Sequence, residues 1–330
     1  MDDITTTQKV FSKIGWTYTI FSIAATVLPL ILLNIVYLIH PEILTIELEI
    51  LLSSGFVYIF GLLILPIGLK KSQIPIFKIE KKNMTIGAFF KTLIMSYSLL
   101  ILANFIGTLI TIMIGILKGS PIINPVEEVA LNMNLPFLIL FTVICAPIFE
   151  ELFFRKFLID RISQYGECAS IVISGFMFGL FHGNLSQFPY AFALGAFFAY
   201  IYIRTGRIGY TILLHALINF VGSVIGSILL KNIDFSFYEK LLTSTSIEEI
   251  FEILTVENIS GILVIFIYDM FVLLFVAIGI ILWILEFKKF FFKPVELAIP
   301  KGRCFETGIL NTGMLVYIAF WLIMIFIASI

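Results

Sequence analysis

The chain is poor in charge and in groups that titrate near neutrality. Of its 330 residues only 13% are Asp, Glu, Lys or Arg, and there are three histidines. With 60% hydrophobic residues and a mean hydropathy of +1.08, it is too apolar for a soluble globule. The strand-like alternation of an outer-membrane barrel is also missing. Cysteine is scarce as well: Cys145, Cys168 and Cys304 are odd in number and far apart, which excludes a disulfide framework and a CxxC metal knuckle. The familiar hydrolase signatures are absent too. There is no His-Glu-x-x-His, no Gly-x-Ser-x-Gly, and no Gly-x-Ser-Gly, since Val172 stands where Ser174-Gly175 would need a glycine. Tyr268-Asp269 has no partner Gly-x-Gly-Asp, so Asp269 reads as a lone structural acid rather than half of an aspartyl pair.

What the chain does have is long apolar runs. A helix needs about 20 apolar residues to cross a bilayer, and nine stretches qualify: 16–39, 49–69, 88–117, 135–157, 168–185, 188–204, 207–230, 259–285 and 308–330. The expected fold is therefore all-α, a polytopic bundle of eight or nine transmembrane helices with any polar site inside it. The first run is too long for a signal-peptide core and reads as a retained anchor. Nine spans put the termini on opposite sides. With the N-terminus in the cytoplasm, 18 of the 21 Lys and Arg fall inside, and only Lys118, Lys231 and Lys240 fall outside. The outer segment 231–258 is acidic, with a short helix expected after Ser246. Pro121 and Pro125 mark a boundary, dividing the chain into an accessory N-terminal part (1–134), a core with the polar motifs (135–225) and a C-terminal part (226–330).

An ionised group in hydrocarbon costs roughly 2.5–3.5 kcal/mol, so such groups face a protein interior or a wet cavity. Here Glu150 and Glu151 sit within the fourth stretch, His182 at the end of the fifth and His215 in the seventh. Adjacent helical residues point about 100° apart, so the two acids cannot share a role. Glu151 and Arg155 stand at i,i+4 with the acid first, the favourable order for an ion pair. That pairing leaves Glu150 free as a general base. A Glu-Glu near a helix end is also compatible with snorkelling into the headgroups beside Arg155 and Lys156. Phe178 and His182 share one helix face, and so do His215 and Asn219. Gly175 and Gly179 form a small-xxx-small pair that admits a neighbouring helix. Two imidazoles, an amide and two acids suit a water-activating hydrolase. Glu150 would deprotonate the water, and an imidazole with the Asn219 amide would stabilise the oxyanion. With the spans drawn as above, Glu150 lies about 9 Å and His182 about 21 Å from the same membrane side. Either the hairpin around Asn184 to Pro189 is recessed or the fourth helix runs deeper.

The ordered set Glu150-Glu151-x-x-x-Arg155, Phe178-x-x-x-His182 and His215-x-x-x-Asn219 resembles that of the CPBP superfamily, which includes type II CAAX prenyl endopeptidases and bacterial abortive-infection or bacteriocin self-immunity proteins. The likeness covers roughly residues 135–222 and includes the run from Ala193-Leu194-Gly195 to Thr205-Gly206. It implies an intramembrane endopeptidase that acts on a membrane-associated or lipidated peptide. Glu150 would activate water and His182 would assist, while His215 and Asn219 form the oxyanion site. Glu151 and Arg155 would orient the helix, and Phe178 would pack or touch substrate. No metal is expected, although Glu150, His182 and His215 could supply three ligands to zinc. The expected partners are membrane lipid and a peptide or lipidated-protein substrate, and no nucleic acid. A non-proteolytic immunity or scaffold role and an ion- or proton-coupled transporter using the same groups as a relay remain alternatives. The Ile, Phe and Lys bias suggests an AT-rich bacterial genome and a plasma-membrane location. Peptide maturation, bacteriocin self-protection or signalling at a cytoplasmic-facing site fits that setting better than prenyl-protein processing.

Overall fold

The computed structural model describes residues 2–122, 124–231, 246, 256–300 and 302–329. Most of the acidic outer segment, including the helix expected after Ser246, lies outside the described residues. The described chain is helical: α1 (Asp2–Ile39), α2 (Ile46–Lys71), α3 (Ile86–Lys118), α4 (Pro125–Asn132), α5 (135–162), α6 (Glu167–Phe181), α7 (Phe188–Thr205), α8 (208–231), α9 (Val256–Glu286), α10 (Cys304–Gly308) and α11 (Thr312–Ser329). The helix ends follow local chemistry. Thr45 and Thr85 accept backbone N–H bonds from Leu48 and Ala88 at the starts of α2 and α3. Gly119, at φ 78°, closes α3 in the left-handed conformation that glycine adopts freely.

Among the described residues, seven helical stretches are long and apolar enough to cross a membrane: 4–39, 46–71, 86–118, 135–165, 208–229, 263–289 and 312–329. The protein is thus an integral membrane protein, and the expected nine spans reduce to seven of full character. The two that fall short are α6, at 15 residues, and α7, which carries Arg204 in its last turn. They pack against each other at the centre of the bundle, with most of α6 and α7 buried among their neighbours. A helix enclosed by protein need neither match the bilayer thickness nor be uniformly apolar. Glycine allows the close crossing: a Cβ on Gly175 would lie 2.7 Å from the Ala196 nitrogen, and one on Gly195 would lie 2.7 Å from Phe178 Cδ1. At the periphery α1 packs on α2 and α11, and α3 packs on α7 and α9, so contacts cross all three sequence segments.

The two ends of the bundle differ in charge. At one end Lys13 Nζ donates to Ser72 O (3.2 Å), Phe77 N to Asp160 O (2.6 Å), Lys82 N to Thr205 O (2.8 Å) and Ile299 N to Tyr165 O (2.9 Å). These bonds gather the loops that carry most of the Lys and Arg. At the other end Lys118 Nζ donates to Ser329 O and Asn134 Nδ2 to Glu47 Oε1. Both proposed solutions to the depth mismatch occur together. Helix α5 continues to Ile162, so Glu150 stands about 18 Å from its basic end, against about 22 Å for His182 measured from the start of α6. The hairpin after His182 is sunk into the bundle, with the Ser186 carbonyl facing Gly107, three turns before the end of α3.

Overpacking a tight crossing costs about 1–3 kcal/mol. Gly175→Val should therefore lower the melting temperature in detergent, whereas Gly209→Ala, where an added Cβ meets nothing within 4 Å, should not. Equal melting of the two variants would contradict the α6–α7 packing.

Candidate active site

The site is built on an irregular helix. Within α5, residues Ile139–Cys145 and Leu152–Ile159 are π-helical, and the short α-helical piece Ala146–Glu151 between them carries both glutamates. Such insertions collect at functional sites because they shift side chains around the axis. Pro147 explains one local consequence. The Ala146 amide bonds to Phe141 O, so the next carbonyl, that of Thr142, falls to residue 147, and proline has no N–H to give. Asn219 fills the vacancy, its Nδ2 donating to Thr142 O at 2.8 Å. This fastens α8 to the helix that bears Glu150. In the second π stretch Tyr18 Oη donates to Phe153 O (2.7 Å) and Ser174 Oγ to Phe154 O (2.9 Å).

Glu151 and Arg155 are both fully buried, with Arg155 Nε 3.0 Å from Glu151 Oε2 and Nη2 3.1 Å from Oε1. Arg155 also reaches Ser174 Oγ at 3.4 Å and lies over the Phe178 ring, 4.8 Å from its centroid. His215 Nδ1 stands 3.1 Å from Glu151 Oε1. A carboxylate can only accept, so Nδ1 carries the proton and Nε2 is the free nitrogen. That nitrogen faces Glu150, 3.8 Å from Oε2. The second imidazole is fixed in the same sense, since His182 Nδ1 lies 2.9 Å from the Phe178 carbonyl and must donate to it. Phe178 is the wedge between them: its ring meets His182 edge-on at 4.8 Å and His215 at 6.0 Å.

Glu150, His182, His215 and Asn219 line one cavity of about 400 Å³, and Phe178 forms part of its wall. Of the residues singled out in the sequence, only Glu151 and Arg155 stand behind this surface, buried beneath it. Asp269 is on α9, exposed on the outside of the bundle and away from the cavity. The sequence reading missed Tyr58, which lines the cavity from α2 and stacks on Phe149 at 4.2 Å. It also missed Gln187 and Tyr190, joined by a 2.7 Å hydrogen bond in the sunken hairpin. The signal for Tyr58 was present, since Ser54 and Tyr58 make a polar pair one turn apart in an apolar helix. Among the described residues, no three His, Cys, Asp or Glu side chains come together as a metal would need.

Residues 132–221, which contain all three motifs, match the family described as "Type II CAAX prenyl endopeptidase Rce1-like". The resemblance read from the sequence is borne out over that segment. A curated relative named "Putative membrane peptidase YdiL", from Bacillus subtilis (strain 168), is 33% identical over 85 residues, which are 26% of this chain and 35% of the relative. The match thus spans about a third of the length of that protein. No solved structure matches.

Removing one partner of a buried ion pair leaves an uncompensated charge and costs about 3–5 kcal/mol. Arg155→Met should therefore melt far below the parent protein, and adding Glu151→Gln to it should recover part of the loss. Additive losses in the double variant would show that the two residues do not act as a pair.

Proposed function

We propose that the protein is an intramembrane endopeptidase in which Glu150 activates a water molecule for attack on a peptide carbonyl, without a metal ion. One observation carries the reading: of two adjacent glutamates, Glu151 is consumed by Arg155 and His215, while Glu150 faces the cavity with no side-chain partner closer than His215 Nε2 at 3.8 Å among the described contacts. The likeness of residues 132–221 to a prenyl endopeptidase family agrees with it.

In this mechanism the water sits between Glu150 and the unprotonated Nε2 of His182, which accepts one of its hydrogen bonds. Glu150 takes a proton as the oxygen bonds to the carbonyl carbon. The resulting oxyanion is met by two donors. The second Nδ2 proton of Asn219 is free, because only one is used on Thr142. The second donor is His215 Nε2, a role that requires the imidazolium form of the ring, with its Nδ1 proton directed at Glu151. When the tetrahedral species collapses, the C–N bond breaks and Glu150 returns the proton to the leaving amine. Water is thereby divided between the new carboxylate and the new amine, and the enzyme is restored. The apolar wall of Phe141, Leu194, Phe198 and Ile218 suits an uncharged or apolar peptide segment.

Losing a general base typically lowers a rate by about 10²–10⁴-fold. Glu150→Gln should therefore remove a set of peptide ends from membrane-enriched peptidomes while the protein keeps its melting temperature, and 1,10-phenanthroline should leave the same ends in place. Peptidomes that do not differ between wild type and Glu150→Gln would contradict proteolysis, and loss of the ends with the chelator would contradict a metal-free site.

A further inference from the structure

The position of the cavity along the membrane normal adds a constraint on the substrate. Toward the basic end the floor is closed. On α5, Phe153, Phe154, Arg155 and Leu158 are fully buried, and on α8 so are Thr211 and Leu214. Toward the opposite end the cavity wall is less tightly enclosed: Thr142 on α5 and Asn219 and Ser223 on α8 line it and are partly exposed, while Met133, Leu138 and Val224 pack together beside them. The lining shows the same polarity. It includes Ile50 and Ser53, in the first two turns of α2 and within about 11 Å of its start at the opposite end. It also includes Met133, directly after α4, and Gln187 in the sunken hairpin. None of its lining residues comes from the loops that carry the Lys and Arg.

The sunken hairpin is what leaves this space. The Ser186 carbonyl lies against Gly107, 11 residues before the end of α3, so the turn after His182 stops about 16 Å short of that end. A full-length α6 would occupy the volume now lined by Gln187 and Tyr190. Loops rich in Lys and Arg are retained in the cytoplasm, and 18 of the 21 such residues belong to one side. Placing that side in the cytoplasm directs the mouth of the cavity outward.

Resting on the hydrolase reading for its chemistry, we propose that the cavity is entered from the extracytoplasmic side, so that its substrate is an apolar segment of an exported peptide or of a membrane protein's outer end. A lipidated tail lying in the cytoplasmic leaflet would meet the closed floor of Arg155, Phe154 and Leu214. This reverses the cytoplasmic-facing site expected from the motif resemblance, because the basic loops and the open end of the cavity lie at opposite ends of the bundle.

The test is cysteine accessibility in intact cells, in full-length protein whose Cys145, Cys168 and Cys304 are replaced by serine. Ser53→Cys and Ser223→Cys report the cavity from two helices, so that failure of one variant to fold leaves the other. Glu42→Cys and Lys289→Cys, both at exposed positions, mark the two ends. A membrane-impermeant charged maleimide should label Ser53→Cys, Ser223→Cys and Glu42→Cys in intact cells, and Lys289→Cys at least tenfold more slowly until the cells are permeabilised. Cavity cysteines that react only after permeabilisation, or not at all, would overturn the proposal, as would a reversed order of the two end markers. The labelling needs no turnover, so Glu150→Gln added to these variants should label identically. Its loss of peptide ends is a separate result, by which the peptidase reading stands or falls alone.

Discussion

The buried contact between Glu151 and Arg155 is the interaction on which the site depends. Two opposite charges at zero exposure are tolerated in a membrane interior only because each satisfies the other, and even then the pair contributes more to specificity than to net stability. Here the specificity is geometric. Arg155 binds Glu151 and Ser174 and rests on Phe178, while Glu151 binds His215. One guanidinium therefore ties α5 to α6, and its carboxylate partner ties α5 to α8. The orientation of His215 and the position of the Phe178 wedge both follow from a pair that never touches the cavity.

This division of labour explains why the motif has two glutamates. A single carboxylate in an apolar bundle would be drawn into whatever cation lay near. With Glu151 occupying Arg155, Glu150 remains directed at the cavity, and the two residues differ in environment although they are neighbours in sequence. Asn219 is divided in a similar way, since one amide proton repairs the carbonyl left unpaired by Pro147 and the other is available to a ligand. Structural satisfaction and chemical availability are assigned to different atoms of the same side chains.

Much of this was legible in the residues themselves. The i,i+4 spacing of Glu151 and Arg155 predicted their pairing because helix geometry is local. The Gly175 spacing predicted a close crossing, and the Lys and Arg distribution predicted two unlike ends. The rest was set by tertiary contacts. Hydropathy marks α6 and α7 as short, closely spaced spans but cannot distinguish a helix facing lipid from one enclosed by protein. The π-helical segments have no sequence period of their own, and only the donor missing at Pro147, set against Asn219 some seventy residues later, makes the first of them intelligible. The sunken hairpin was foreseen as one way to bring His182 level with Glu150, but its depth depends on Gly107 of α3, a contact that spacing within the motif cannot report.

The central claim is that a solvent molecule, activated by Glu150, becomes part of the product. Purified protein in lipid nanodiscs, given apolar peptides in water enriched in oxygen-18, tests it most directly. Each new C-terminal carboxylate should carry one heavy oxygen, and Glu150→Gln should produce no such termini. New termini without the label, or labelled termini formed equally well by Glu150→Gln, would contradict the account.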